Sequence, residues 1–330
     1  MVEAFITGTG MAVPETIVSN EEIAERLGLE PEQIFKSSGI RNRRWAESGI
    51  TTSALAASAL QNALSDANIA AAEIDYLIFG TMTPDRFIPG SSPAVQKTLG
   101  LAEIPCLDIR ATCCNALYAL QVARAIVLSE TANNVAICLA ETQSRWLDLS
   151  PESGTISMLF GDGASALVVS RGQKEQALRI IDVHLATDGS YVDDLGIRCP
   201  GSEFGVTPVA EMDLRPRMVG QSVILQASRK IVAGCRTVME RNNVTVGDIS
   251  WIVPHQANAN LLAQVGRSLG FKREGGVVST LEDFGNTSSA SMGIALDVLR
   301  RSGSVAKDDY LLLPAFGAGF TWGAGLCRAG

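Results

Sequence analysis

The 330-residue sequence has little charge, few aromatic residues and only two histidines. Charged residues make up 19% of the chain, and no long polar tract occurs, which argues against disorder. No run reaches the roughly 18 consecutive apolar residues that a membrane-spanning helix requires. The first fifteen residues, MVEAFITGTGMAVPE, lack the basic start of a secretory signal. We therefore expect a cytoplasmic protein that does not enter a membrane.

Cysteine pairs with metal-ligand spacing are also missing. The seven cysteines include no C-x-x-C pair, so we expect no metal site. The formal net charge of −8 argues against nucleic-acid binding, and an acidic protein partner would need a local basic patch. Hydrophobic residues make up 46% of the chain, enough for a large core, and the length suggests two domains.

An internal repeat is the most informative feature that is present. Residues 68–78 resemble residues 243–253, and residues 134–138 resemble residues 309–313, both at an offset of 175 residues. Between these matches, a turn and helix near Cys113 correspond to a turn and helix near Asn286. We infer a duplicated chain with two halves, residues 1–172 and 173–330.

Each half alternates between short apolar runs and helical patterns. Runs such as YLIFG, VAICLA, ALVVS, WIVPH and YLLLPAF suit strands that are buried on both faces. The stretches 114–129 and 287–301 carry apolar residues at helical spacing. This order predicts an α/β fold in which two stacked halves enclose a site between them.

Three residues at element junctions are candidates for catalysis. Cys113 follows a strand and opens a helix, where the helix dipole should lower the thiol pKa and free N–H groups could bind an oxyanion. His255 ends the strand WIVPH, and Asn286 should occupy the position in the second half that Cys113 occupies in the first. Each also has a purely structural interpretation: a buried cysteine, a structural histidine and a helix N-cap.

The segments around these residues resemble the thiolase superfamily, and within it the β-ketoacyl-acyl-carrier-protein synthase III group. LDIRATCCNALYALQVA is similar to the nucleophile segment, WIVPHQAN to the histidine motif, FGNTSSAS to the asparagine motif, and AFGAGFTWG to the C-terminal loop. The similarity covers essentially the whole chain. It implies a five-layered α/β/α/β/α fold, a homodimer and an acyl carrier protein as partner.

The resemblance also implies a mechanism without a cofactor, in which a coenzyme A or phosphopantetheine thioester is the substrate. Cys113 would take an acyl group, and the N–H groups of Cys113 and Ala318 would form the oxyanion hole. After a malonyl thioester lost CO2, His255 Nε2 and the Asn286 amide would donate hydrogen bonds to the enolate. The residues expected to contact the substrate are Arg145, Phe160, Asn258 and Phe316. Arg267 is expected to contact the acyl carrier protein.

The chain departs from this family where the family binds coenzyme A and the carrier. Gln33 and Ser37 replace a Trp and an Arg that stack on the adenine, a loss of roughly 1–3 kcal/mol if that stacking matters. Basic residues are also replaced at three further positions, namely Ser153, Leu225 and Asn260. We therefore expect a donor other than an ordinary free coenzyme A thioester, or a different way of binding it.

Two arginines near the nucleophile suggest a specialised starter. Arg110 lies in a strand expected to be buried, and Arg145 follows the strand VAICLAE. A buried arginine usually has an anionic partner, which is either an internal carboxylate or a carboxylate-bearing starter such as glutaryl, as in biotin priming. The pocket should depend on loops near residues 82–92 and 195–215.

Other functions remain open at this point. An acyltransferase acting on an alcohol or amine, or a condensing enzyme of secondary metabolism, would use the same fold. A non-catalytic carrier-binding partner would be expected to lack the cysteine. A cysteine hydrolase would leave the repeat unexplained, and the sequence shows no G-x-S-x-G-like elbow.

Overall fold

A computed structural model describes residues 2–172, 175–203 and 215–330. Its strands are β1 (Phe5–Ala12), β2 (Ile17–Ser19), β3 (Asn42–Arg44), β4 (Tyr76–Gly80), β5 (Cys106–Ile109), β6 (Asn134–Glu141), β7 (Gly163–Ser170), β8 (Leu178–Thr187), β9 (Leu195–Gly196), β10 (Arg217–Met218), β11 (Ile249–Ile252), β12 (Tyr310–Gly317) and β13 (Thr321–Ala329). Its α-helices are α1 (Asn20–Leu27), α2 (Pro31–Ser38), α3 (Thr52–Ala67), α4 (Ser92–Leu99), α5 (Asn115–Leu128), α6 (Gly154–Ser157), α7 (Gly220–Arg241), α8 (Ala259–Leu269), α9 (Leu281–Phe284) and α10 (Ser291–Arg301).

The order and direction of the strands repeat between the two halves of the chain. The main sheet runs β11-β12-β13-β8-β1-β7-β6-β4-β5. In the first half β4 pairs parallel with β6, and β7 then pairs antiparallel with both β6 and β1. In the second half β11, β12, β13 and β8 repeat these relations in the same order. The division at residue 172 falls between β7 and β8 and stays a prediction.

The two halves are joined edge to edge. Phe5 and Ile6 at the start of β1 pair with Arg179 and Leu178 of β8, so the strands form one sheet by hydrogen bonding. The opposite edge of the first half is β5, which pairs only with β4 among the described residues.

Three apolar clusters define the layers. Helix α3 packs on the outer face of β1, β4, β6 and β7, and helices α7 and α8 pack on the outer face of β11, β12 and β13. The third cluster places α5 and α10 between the two sets of strands, with buried residues such as Leu117, Ile294 and Leu313 in contact. The predicted five-layered α/β/α/β/α architecture is therefore confirmed, and the first turns of α5 and α10 lie at its centre.

Candidate active site

The nucleophile candidate sits in a tight turn between a strand and a helix. Residues Thr112–Cys114 form a 3-10 turn, and α5 begins after it at Asn115. Thr112 adopts a left-handed backbone conformation with φ of 51°, which costs a non-glycine residue about 1–3 kcal/mol. Such strain persists only where the surrounding structure fixes it, and here it aims Cys113 towards the second half.

A matching turn of the second half faces Cys113. Residues Ser288–Ala290 form a 3-10 turn before α10, and Ser288 also has a positive φ, 49°. The Oγ of Ser288 lies 3.5 Å from the Sγ of Cys113. The two turns and the two strained residues correspond between the halves. Cys113 lies inside its turn, whereas Asn286 lies two residues before the turn that begins at Ser288. The prediction that Asn286 occupies the counterpart position of Cys113 is therefore wrong.

Asn286 is held at both its backbone and its side chain. Its N–H donates to Leu159 O at 2.8 Å, and its carbonyl accepts from Gly161 N at 3.1 Å. Its side-chain Oδ1 accepts the Ser288 N–H at 2.8 Å. This bond fixes the orientation of the buried amide. The Nδ2 group, which can only donate, makes no hydrogen bond within the part of the chain that the structure describes.

His255 lies three residues beyond the end of β11. Its N–H donates to Pro314 O at 2.9 Å, which ties it to the neighbouring strand β12. Its Nδ1 lies 2.7 Å from Ser291 Oγ, so the ring presents its Nε2 edge away from this contact. Burial lowers the pKa of His255 to about 4, against a smaller opposing effect of a backbone hydrogen bond with Ser288. The imidazole is therefore neutral at neutral pH.

Cys113 does not behave as the helix-end argument predicts. Burial raises the pKa of the Cys113 thiol to about 11, a hydrogen bond with Ser288 lowers it, and the nearby Glu141 carboxylate raises it further. Cys113 precedes α5 by two residues, and burial is the largest of the causes that shift the pKa of its thiol. This direction is opposite to the predicted lowering of the pKa, and with a pKa of about 11 the resting residue is a thiol.

A buried carboxylate beside the site was missed. Glu141 ends β6 and is fully buried. It accepts hydrogen bonds from Thr83 Oγ1 at 2.8 Å and Ser289 Oγ at 2.6 Å, and from the Met82 N–H at 3.2 Å. Burial raises its pKa to about 7, despite these donors. Glu141 thus links the segment after β4 to the turn that faces Cys113. Its signal in the sequence was a charged residue closing an apolar strand.

The C-terminal loop packs directly against the nucleophile. A Cβ placed on Gly317 would lie 2.3 Å from Thr112 Oγ1 and 2.9 Å from the Cys113 nitrogen, so only glycine fits there. Thr112 Oγ1 donates to the Ala318 carbonyl at 3.2 Å. The predicted oxyanion-hole residues, Cys113 and Ala318, are therefore brought together.

The two arginines do not lie as predicted. Arg110 follows the edge strand β5 and is exposed, because no further strand covers that edge in the described part of the chain. Arg145 is exposed as well, and its Nη2 donates to the backbone carbonyls of Glu47 and Ile50. Its guanidinium therefore holds the loop of Glu47 and Ile50, while substrate binding by Arg145 and a carboxylate-bearing starter stay predictions.

The remaining predicted substrate residues fall into different surroundings. Phe160 pairs with Asn286 through its backbone, beside the site. Phe316 is buried in the outer core of the second half, where its ring lies 4.9 Å from that of Phe320, so the structure gives it a packing role. Asn258 caps α8 with its Oδ1 and donates from Nδ2 to Ser37 O at 2.8 Å.

Asn260 and Arg267, two positions compared with the family above, both lie on α8. Asn260 also donates to Ser37 O, at 3.0 Å, so α8 is clamped to the end of α2. Arg267, in the last turn of α8, is exposed. Of the pocket loops, residues 82–92 are described, whereas residues 204–214 of the second loop lie outside the described residues.

Within the described ranges, no cluster of three or more His, Cys, Asp or Glu side chains could hold a metal ion. A search of the same residues for a helix with the length and hydropathy of a membrane span finds none.

Comparison with known proteins agrees with this geometry. The family profile "3-Oxoacyl-[acyl-carrier-protein (ACP)] synthase III" matches residues 107–189, and the profile of its C-terminal part matches residues 239–329. The β-ketoacyl-[acyl-carrier-protein] synthase III of Rhizorhabdus wittichii is 38% identical, over 99% of this chain and 100% of its own length. That of Bordetella petrii is 38% identical over 99% of this chain and 98% of its own.

Solved structures of the same kind superpose closely. The 3-oxoacyl-[acyl-carrier-protein] synthase III of Aquifex aeolicus VF5 is 31% identical, with a TM-score of 0.90 over 98% of this chain and 99% of that chain. The priming β-ketosynthase of the R1128 polyketide pathway is 33% identical, with a TM-score of 0.89 over 99% of this chain and 96% of that chain.

Proposed function

This chain belongs to the 3-oxoacyl-[acyl-carrier-protein] synthase III family of acyl-transferring condensing enzymes, and from this premise we propose that it joins an acyl starter to a malonyl unit by decarboxylative Claisen condensation. The contact between Cys113 Sγ and Ser288 Oγ carries the proposal, because the turn of Ser288 also orients Asn286 and lies next to His255. Nucleophile and enolate donors therefore share one site.

The first half-reaction loads Cys113. Its sulfur attacks the carbonyl of an acyl thioester, the N–H groups of Cys113 and Ala318 bind the oxyanion, and the bond to the donor sulfur breaks. Because the resting group is a thiol, its proton leaves with the departing donor thiol. The product is an acyl-cysteine.

The second half-reaction forms the carbon–carbon bond. A malonyl thioester loses CO2, and Asn286 Nδ2 and His255 Nε2 donate to the resulting enolate oxygen. The enolate carbon attacks the acyl-cysteine carbonyl, the bond to Cys113 breaks, and the sulfur takes a proton from solvent to regenerate the thiol. No cofactor takes part in either step.

Intact-protein mass spectrometry with a panel of acyl-coenzyme A and acyl-carrier thioesters tests this function. We expect a mass gain that equals one acyl group with at least one donor, and none in Cys113→Ala. The mass and the donor together identify the starter and the thiol that delivers it. A mass gain that persists in Cys113→Ala, or a donor panel that never loads the enzyme, would contradict the proposal.

An acidic acyl carrier protein is the partner we propose, docked on three arginines of α7 and α8. Arg229, Arg236 and Arg267 are exposed, and no carboxylate pairs with any of them in the described part of the chain. In a chain with a net charge of −8, such a local group of cations can attract an acidic partner.

For Arg267→Glu we expect the KM for the malonyl carrier to rise about tenfold with little change in kcat. The reason is that Arg267 would contact the carrier protein during docking and would not contact the reacting atoms. Steady-state kinetics at several salt concentrations measure this, since screening should weaken wild-type docking in the same direction. Lys307→Glu is the matched charge reversal, at an exposed lysine in the turn before β12. Equal effects of the two variants would argue against docking at Arg267.

A homodimer is the second assembly that we propose. The edge strand β5 leaves one side of its backbone unpaired within the described chain, and the adjacent loop exposes Phe87 and Ile88 at 77% and 78%. Open strand edges and neighbouring apolar side chains favour pairing with a second copy. Sedimentation velocity should give a dimer of the 34.9 kDa chain, weakened in Phe87→Asp. A monomer at micromolar concentration would contradict this arrangement.

A cytoplasmic location also belongs to the proposal. Six cysteines are free thiols, as is usual in a reducing compartment, namely Cys106, Cys113, Cys114, Cys138, Cys235 and Cys327.

A further inference from the structure

The mechanism needs a particular tautomer of His255, and the structure contains a group that can select it. The imidazole is neutral at neutral pH, so only one of its two nitrogens carries a proton. If Nε2 carries it, the ring can donate to an enolate. If Nδ1 carries it, Nε2 presents a lone pair, which would repel the enolate oxygen.

The hydroxyl of Ser291 lies within hydrogen-bond distance of three groups but can donate only one hydrogen bond. It accepts the Gln256 N–H at 3.1 Å, lies 2.7 Å from His255 Nδ1 and lies 2.9 Å from the Ser288 carbonyl. The hydroxyl can donate to Nδ1, which leaves the proton of the ring on Nε2, or it can donate to the carbonyl, which requires a proton on Nδ1.

The neighbours favour donation to the histidine. The Ser288 carbonyl already accepts the Ser291 N–H at the end of the 3-10 turn and also lies within hydrogen-bond reach of the imidazole, so it is the competing acceptor. Ser291 is the only side chain that hydrogen-bonds Nδ1 in the described chain. The contact with Nδ1 is also the shorter of the two. We propose that Ser291 is a positioning residue whose hydroxyl donates to Nδ1 and so keeps the proton of His255 on Nε2.

The surrounding framework keeps this contact in place. Gln256 is fully buried, and its amide donates to the carbonyls of Pro254 and Val278 and accepts the Thr280 N–H. The backbone that bears His255 is therefore fixed from both sides. Ser291, as the first residue of α10, is fixed by the helix.

The chain offers a clean spectroscopic test, because it has only two histidines. His184 lies on β8 away from the site, so His184→Gln leaves one imidazole to observe. In this background, two-bond 1H–15N spectra of 15N-labelled protein at pH 7 should show a protonated Nε2 and a bare Nδ1. In Ser291→Ala the proton should move to Nδ1, towards the Ser288 carbonyl, whereas Ser291→Thr should retain the wild-type tautomer.

The kinetic part rests on the proposed function and separates its two half-reactions. In Ser291→Ala we expect decarboxylation of the malonyl thioester by the acyl-enzyme to fall by about 10- to 100-fold, less than the roughly 10²–10³ lost with an oxyanion-hole donor, because the Nε2–H form is depleted and not abolished. Acyl loading of Cys113 should change less than about twofold, and Ser291→Thr should restore decarboxylation.

Several outcomes would overturn the proposal. A protonated Nδ1 in the wild-type spectrum would refute it directly, as would a Ser291→Ala spectrum that still shows the Nε2–H form. Equal losses in both half-reactions would indicate a general disturbance of the site. If no donor loads Cys113 at all, the proposed function fails, while the spectra still decide the role of Ser291.

Discussion

Alkylation of Cys113 by iodoacetamide should accelerate about tenfold for each pH unit from 7 to 10, or about 10³-fold in total, because only the thiolate reacts. Burial raises the pKa of this thiol to about 11, so its thiolate fraction keeps growing across this range. The modified protein is counted by mass spectrometry, with Cys113→Ala as the blank for the other six cysteines, five of which are buried.

A plateau of the alkylation rate near pH 7 or 8 would contradict this expectation and would restore the helix-end argument. Glu141→Gln provides a second check on the electrostatics. Above pH 7 the Glu141 carboxylate is charged and raises the pKa of Cys113, so the amide should move the alkylation profile to lower pH. An unchanged profile would mean that the Glu141 charge does not contribute to the pKa of the thiol.

This prediction has a consequence for catalysis. An enzyme whose resting nucleophile is a thiol must move one proton in each half-reaction: out with the donor thiol on loading and back to sulfur after condensation. Loading should therefore be insensitive to the ionisation of His255, whose pKa of about 4 keeps it neutral over the working range. A loading rate that followed a group titrating near pH 6.5 would point to proton transfer through this histidine.

The central strands could be predicted from the sequence because a strand that is buried on both faces has a continuous run of apolar residues. Apolar runs such as YLIFG and VAICLA became the central strands β4 and β6, and the 175-residue repeat became the repeated strand order. The junction residues Cys113, His255 and Asn286 are brought together because the strand ends of both halves meet at the same layer. Their roles remain predictions until they are tested.

Properties that depend on contacts distant in sequence were not predictable in this way. Arg110 was expected to be buried, yet β5 is an edge strand, and nothing in a local pattern distinguishes an edge from a centre. The pKa of Cys113 is a balance between a helix end, which the sequence shows, and desolvation, which only packing determines. Ser291 and Glu141 act through partners 36 and 148 residues away in the chain.

For Asn286→Ala we expect condensation to fall by about 10²–10³-fold, since the variant removes one of two donors to the enolate. Asn286→Asp should lose at least as much, because its carboxylate can keep the bond from the Ser288 N–H but presents a negative oxygen where Nδ2 stood. Both variants should acylate Cys113 within about twofold of the wild-type rate, because the oxyanion hole of the first step lies elsewhere.

Single-turnover experiments separate the two effects: acyl loading by mass spectrometry, then release of CO2 from a labelled malonyl thioester. Asn62→Asp, an exposed change of the same kind on α3, is the matched control and should leave both rates near wild type. Normal CO2 release in Asn286→Ala would show that His255 alone stabilises the enolate. Loss of loading together with CO2 release would instead mean that Asn286 supports the turn of Ser288, and through it the thiol, and does not act on the enolate.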